Sequence, residues 1–132
     1  MSDKHNDATL NRPEGDRDID ANLIKMDLNK YISQIKSEEA WLNKDRNAIT
    51  LYKTDTMRMV LLGLHQDAEL KEHTAPGNIS VHLLEGHVSF RAEGQEVKLT
   101  AGQIVTLHAK IPHSVFAHEE SVFLLTISVN AS

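Results

Sequence analysis

Two periodicities of apolar residues divide the chain, one of helical spacing before Asn47 and one of period two after it. The apolar positions of the first segment are Leu28, Tyr31 or Ile32, and Ile35. Asp27 precedes them and can cap the first turn. We therefore predict one amphipathic helix over about residues 28–37, which lays an apolar stripe on a sheet. Trp41 is expected to follow it as a packing anchor.

The remainder of the chain predicts an all-β body. Residues 47–53, 57–64, 79–84, 87–92, 95–99, 104–107, 114–118 and 122–129 are interpreted as strands. Turn residues such as Glu93-Gly94 fall between these runs, where the chain must reverse. Eight strands in so short a segment indicate a closed or nearly closed barrel or sandwich, with the helix as an addition.

Domain organisation follows from these patterns. A chain of 132 residues is long enough for one core. Residues 1–20 are polar and predict a disordered or loosely attached arm, residues 21–46 a helical extension, and residues 47–132 the β domain. The runs 57–62 and 122–125 are apolar at successive positions, which indicates strands covered on both faces. We expect either a second subunit or the N-terminal helix to cover one such face; a second subunit would form a homodimer with Phe123 at the contact.

Composition excludes several classes of function. The chain has no cysteine, so disulfides, thiolate nucleophiles and iron–sulfur clusters are excluded, and a metal would need imidazole or oxygen ligands. The net charge is -5 and no basic stripe occurs, which argues against nucleic-acid binding. The first residues contain no apolar run, so we expect no secretory signal, no membrane anchor and a cytoplasmic protein. No nucleophile elbow, phosphate-binding glycine loop or dinucleotide fingerprint is found.

Two histidines and two glycine-containing turns occur in a recognisable order along the β domain. His73 is followed by a strand that ends in Glu85-Gly86, then by a pair of strands closed by Ala101-Gly102, and then by Ile111-Pro112-His113. In this order and spacing, residues 57–129 resemble a small single-domain cupin of the conserved-barrel type. The resemblance implies a cupin double-stranded β-helix, a jelly-roll-like barrel.

The resemblance also implies positions for metal ligands. Such cupins have a first motif with two histidines separated by one residue and then a Glu or Gln, and a second motif with a histidine after a proline. His73 falls on the first histidine and His113 on the histidine of the second motif. The other two positions hold Ala75 and, near the carboxylate position, Ile79. Two of the four family ligands are thus present.

Either His82 or His65 could supply a third metal ligand. Strict alternation places Ile79, Val81 and Leu83 on the inner face of their strand and His82 on the outer one. A bulge near residues 76–77 would shift this register and bring His82 inside. Glu72 is a candidate to orient His73 as a hydrogen-bond partner. The other strand histidines, His87 and His118, are expected at surface or hydrogen-bonding positions.

Two functions follow from different classes. The first is binding of a small organic ligand in the barrel, where the predicted pocket consists of His73, Ile79, Val81, His113 and Val115. The alternative is a metal-dependent enzyme, resembling cupin dioxygenases or isomerases, in which His73, His82 and His113 hold iron, manganese, nickel or zinc. A third possibility is a purely structural role, in dimer formation or the docking of a partner. The first two functions differ in whether a third metal ligand converges on His73 and His113.

Overall fold

The computed structural model describes residues 18–129. In these residues the elements are α1 (Leu28–Ser37), α2 (Glu39–Asn43), β1 (Arg46–Lys53), β2 (Met57–Leu64), β3 (Glu69–His73), β4 (Asn78–Glu85), β5 (His87–Ala92), β6 (Gln95–Thr100), β7 (Ile104–Leu107), β8 (His113–Ala117) and β9 (Ser121–Ser128). Neither helix of this part is long and apolar enough to cross a membrane.

The strands form two antiparallel sheets. The five-stranded sheet has the order β1-β2-β9-β4-β7, and the four-stranded sheet has the order β3-β8-β5-β6. The inner faces of both sheets contribute to one hydrophobic core, because alternate residues of each strand point inward. The all-β, jelly-roll-like barrel with a short N-terminal helix is therefore confirmed.

Burial follows the predicted alternation most clearly in β4. Ile79, Val81 and Leu83 are buried in the core between the sheets, while the residues between them are only partly buried. Gly86 connects β4 to β5 and has a φ of 98°, which explains why a residue without a Cβ stands there.

Helix α1 covers part of the outer face of the five-stranded sheet. The Asp27 side chain accepts a hydrogen bond from the backbone of Asn29 and caps the helix, as predicted. Ile35 is fully buried in a second apolar cluster that contains residues of β1, β2 and β9. Lys36 adds an ion pair to Glu85 at the end of β4, with 2.7 Å between Nζ and Oε1.

A buried polar network fixes the end of α1. The side-chain amide of Asn47 donates to the carbonyl of Ile35 at 3.0 Å and to the carboxylate of Glu38 at 2.9 Å. Asn47 and Glu38 are both 6% exposed. Because buried polar groups need partners, this network specifies where α1 ends on the sheet.

Trp41 is a packing residue, as expected. It lies on the short helix α2, is buried, and stacks on the ring of His65 with 3.6 Å between ring centroids. The Nε2 atom of His65 is also 2.7 Å from the carbonyl oxygen of Trp41. Through these two contacts the His65 side chain holds α2 in place.

Three features differ from the sequence-based expectations. Strand β3 was not predicted, because four of its five residues are polar or charged. Phe123 is 1% exposed in the core between the sheets, since its position in β9 points inward; it is therefore not a dimer contact. Ile19, within the predicted arm, is buried, and its carbonyl accepts from the backbone of Lys53. The rest of that arm, residues 1–17, lies outside the described residues.

Candidate functional site

A β-bulge brings His73 to the inner face of the four-stranded sheet. Leu70 pairs with Val115 and His73 pairs with His113, so three steps along β3 match two steps along β8. Leu70 and Val115 both contact the core. Without the extra residue, alternation would turn His73 outward. The bulge therefore places both histidines on the same face.

The two imidazole rings are in contact. Their centroids are 4.3 Å apart and the rings meet edge to face, at 60°. His113 is 4% exposed and its other side stacks on Phe90, with centroids 5.5 Å apart. His73 is exposed. The pair thus runs from the apolar interior to solvent at one end of the barrel.

Hydrogen bonds to backbone carbonyls fix the tautomer of each ring. Nδ1 of His73 lies 2.7 Å from the carbonyl oxygen of Lys71, and Nδ1 of His113 lies 2.9 Å from that of Ile111. A carbonyl oxygen only accepts, so Nδ1 carries the proton in both rings. In the neutral rings each Nε2 atom then has a free lone pair. The partner of His73 is this carbonyl, which corrects the expectation that Glu72 orients it.

Burial changes the charge state of the inner histidine. Desolvation lowers the pKa of His113 from its ordinary value of 6.5, the backbone hydrogen bond to Ile111 opposes this effect, and the charge of a protonated His73 lowers the pKa further. His113 is therefore mainly neutral near pH 7. A neutral imidazole with a protonated Nδ1 accepts a hydrogen bond at Nε2 or binds a metal there.

The inner row that contains the pair continues across the four-stranded sheet. His113 pairs with Ala92 of β5, and Ala92 pairs with Gln95 of β6. A cavity of about 130 Å³ opens where β6 faces β7, at the free edges of the two sheets. Its lining consists of Phe90, Ala92, Glu93, Gln95, Val97, Val105, Thr106 and Leu107. Since Phe90 also stacks on His113, this cavity adjoins the histidine pair.

The predicted pocket residues occupy different parts of this interior. His73 and His113 are brought together. Ile79, Val81 and Val115 face inward but are 2–4% exposed and belong to the closed core, and none of them lines the cavity at the β6–β7 opening. Sequence reasoning did not identify Phe90 or Gln95. The alternation of β5 places Phe90 inward, but Gln95 carries no signal of its own.

His82 does not join the pair. Its neighbours Val81 and Leu83 are in the core, and its partners across the sheet are Ile104 and Leu124, on the outer face. The bulge that would have turned it inward is absent, because the irregularity of β4 lies between residues 83 and 85. Residues 18–129 contain no group of three or more His, Asp or Glu side chains placed to hold a metal ion. The predicted third ligand is corrected accordingly.

A second histidine pair lies on the outer face of the four-stranded sheet. The rings of His87 and His118 have centroids 4.6 Å apart. Nε2 of His118 is 2.6 Å from the hydroxyl of Ser89, which donates to Glu96 at 3.0 Å. The Ser89 hydroxyl is fully buried by these neighbours and cannot reach a substrate, so this cluster is a satisfied hydrogen-bond network.

The comparisons with known proteins agree with this architecture. The model of a family described as AraC-like ligand binding domain matches residues 61–132. A conserved protein of unknown function from Streptococcus pyogenes is similar in structure, with a TM-score of 0.69 and 20% identity over 86% of this chain and 94% of that one.

Two further solved structures are cupins by name. A cupin superfamily protein from Desulfitobacterium hafniense has a TM-score of 0.70 and 16% identity over 83% of this chain and 97% of that one. A cupin-2 domain containing protein from Shewanella frigidimarina has a TM-score of 0.63 and 15% identity over 78% and 93% of the two chains. No curated protein sequence matches the chain significantly. At these identities the structural neighbours establish the fold alone.

Proposed function

Because the chain belongs to the family of AraC-like ligand-binding domains, a cupin-type family, we propose that it binds a small organic ligand between its two sheets. The observation that carries this proposal is the contact between His73 and His113 on the inner face, beside a cavity that opens between β6 and β7. A concave, largely apolar space with a few convergent polar groups is the usual form of a small-molecule site.

The protonation state of the two histidines indicates which kind of ligand they can bind. Both Nε2 atoms are acceptors in the neutral rings, so they suit a ligand with O–H or N–H donors. Phe90, Ala92 and Leu107 offer an apolar wall for the rest of the molecule. The cavity is about 130 Å³, below the usual range of roughly 300–1,000 Å³ for ligand pockets, so the ligand extends toward the exposed His73. We infer a small neutral molecule with at least one hydroxyl or amide donor.

The test is thermal-shift screening followed by calorimetry. The probes are neutral sugars, polyols, phenols and small amides, each at a fixed pH above 7. A compound that stabilises the wild type should lose most of its effect in His113→Ala and in His73→Ala. His87→Ala is the matched control, because it removes one ring of the outer histidine pair and leaves the barrel interior intact. A ligand whose affinity is the same in both inner variants would place binding elsewhere.

The alternative is a metal-dependent enzyme of the dioxygenase or isomerase type. The bonds from Nδ1 to backbone carbonyls favour it, because metal-binding histidines commonly donate their second N–H in this way. The donor set does not fit, because catalytic sites ordinarily use three protein ligands and the described residues supply two. Ala75 and Ile79 stand where cupin metal ligands are expected. We therefore derive no catalytic step through a metal.

A further inference from the structure

Ala92 separates the histidine pair from a glutamine on the inner face of the four-stranded sheet. His113 of β8 pairs with Ala92 of β5, and Ala92 pairs with Gln95 of β6. Neighbouring strands lie about 4.8 Å apart, so the backbones of His113 and Gln95 are separated by roughly 10 Å. Because the side chain of Ala92 is a single methyl group, the space over it stays open between an imidazole and a carboxamide. Ala92 and Gln95 both line the cavity of about 130 Å³.

A tight turn fixes the backbone position of Gln95. β5 ends at Ala92 and β6 begins at Gln95, so two residues alone, Glu93 and Gly94, connect the strands. Both have a positive φ, 53° and 72°, as a two-residue type I′ turn requires. Turn type and loop length set the register of a hairpin. The backbone of Gln95 is therefore held opposite Ala92 before a ligand binds.

The side-chain amide of Gln95 is available to a ligand. Gln95 is exposed at the cavity, and its amide has no hydrogen-bond partner among residues 18–129. A glutamine amide presents a carbonyl oxygen that accepts and an NH2 group that donates. A ring with an adjacent N–H and C=O, as in a lactam or a cyclic imide, pairs with both groups at once. A donor elsewhere on the same ring can reach Nε2 of His113, which accepts.

The size and charge of the cavity restrict the ligand further. An apolar cavity of about 150 Å³ holds one benzene molecule, so about 130 Å³ is enough for a single ring of five or six atoms. Phe90, Val97 and Leu107 form apolar walls, which disfavour a charged ligand. The ionisable side chain in this lining is Glu93, whose carboxylate repels an anion. A neutral ring therefore fits better than a carboxylate or a phosphate ester.

We propose that the barrel binds a neutral five- or six-membered ring with an amide-type edge, and that Gln95 selects this edge. The ring lies over Ala92, with its adjacent N–H and C=O against the amide of Gln95 and a second N–H or O–H donor at Nε2 of His113. Gln95 is thus the residue that distinguishes such a ring from an alcohol or a phenol of the same size. This inference rests on the proposed function, because it concerns the same cavity.

Isothermal titration calorimetry above pH 7 with three probe compounds is the experiment. Uracil carries an amide-type edge and a second N–H donor, phenol carries a donor alone, and δ-valerolactam carries an amide edge alone. The wild type should bind uracil most tightly. Gln95→Leu should weaken uracil binding by at least about tenfold and change phenol binding by less than about twofold, because only uracil hydrogen-bonds the amide. Gln66→Leu, at an exposed turn between β2 and β3, is the matched control and should change neither.

Two further variants separate this inference from the proposed function. Ala92→Leu fills the space over the sheet and should abolish the binding of all three probes. His113→Ala should weaken uracil and phenol but leave δ-valerolactam unchanged, because the lactam has no second donor. If Gln95→Leu binds uracil as tightly as the wild type does, selection by Gln95 is wrong, while loss of binding in His113→Ala still supports the barrel site. If none of the probes binds the wild type, this inference is wrong, and the broader screen described above decides the proposed function.

NMR of the wild type provides a readout that does not depend on the stability of a variant. The side-chain NH2 signals of Gln95 are identified by their absence from the spectrum of Gln95→Leu. Uracil and δ-valerolactam should shift these signals, because both pair with the amide, whereas phenol should leave them in place. An equal shift with all three probes, or no shift with uracil, overturns the proposal.

Discussion

The ring of His73 contacts the ring of His113 from the paired position on the neighbouring strand, with 4.3 Å between their centroids. One ring is exposed and the other is buried, so a charge on the first acts on the second through a partly apolar medium. This asymmetry gives the two histidines different roles. The inner one is mainly neutral near pH 7, and the outer one is in contact with solvent.

The coupling between the two rings is directly measurable. In the His73→Gln variant the pKa of His113 should rise toward its ordinary value, because the neighbouring positive charge is removed while desolvation remains. NMR titration of the imidazole carbon protons provides the measurement. The His87→Gln variant is the control, since that ring faces the other side of the sheet. An unchanged His113 titration in His73→Gln would mean that the rings are not in contact in solution.

The lowered pKa of His113 also predicts how stability depends on pH. The unfolded chain binds a proton at this site near pH 6.5, and the folded chain binds it only at lower pH. The unfolded state thus holds more protons between the two values, so the free energy of unfolding falls as pH drops from 6.5 toward the folded pKa. Above 6.5 this contribution is fully present.

Chemical denaturation at several pH values tests that dependence. The wild type should lose stability on acidification within this window, and the His113→Gln variant should show a smaller slope, whatever its stability at pH 7. The His118→Gln variant is the comparison, because its ring lies on the outer face. Equal slopes for the wild type and His113→Gln would remove His113 as the source of the pH dependence.

Metal content separates the two candidate functions. Two imidazoles without a third protein donor should hold iron, manganese, nickel or zinc weakly, so protein purified without an affinity tag should contain far less than one metal per chain after dialysis. Elemental analysis of the wild type, His73→Ala and His113→Ala gives the answer. A near-stoichiometric metal content that is lost in both variants would favour the metal-dependent enzyme over the ligand-binding protein.

Local signals made some of the structure predictable. The α1 helix and its cap at Asp27 depend on neighbouring residues alone, and the observed helix spans the predicted residues. The strands with clear alternation, such as β4 and β5, were found for the same reason. His113 was identified by a different route, the resemblance of Pro112-His113 to the second cupin motif.

The histidine pair required information that the local sequence does not contain. Strand β3 is short, polar and at the edge of its sheet, so neither hydrophobicity nor alternation marks it. The face on which His73 lies depends on a bulge, and the bulge depends on the register against β8. The resemblance to cupins predicted that His73 matters. Only the long-range pairing shows which residue it touches.

Gly77 offers a stability test of the loop that leads into β4. A Cβ atom at this position would lie 1.9 Å from the backbone carbonyl oxygen of Ser128, which cannot move without disturbing β9. Gly77→Ala should therefore lower the free energy of unfolding by about 1–3 kcal/mol, the usual cost of overpacking.

Denaturant titration at fixed pH measures this change. Gly94→Asn is the control, because nothing lies within 4 Å of a Cβ there and asparagine tolerates its φ of 72°. The control should unfold at nearly the same denaturant concentration as the wild type. If Gly77→Ala is as stable as the wild type, the loop at Gly77 lies farther from β9 in solution than in the structure.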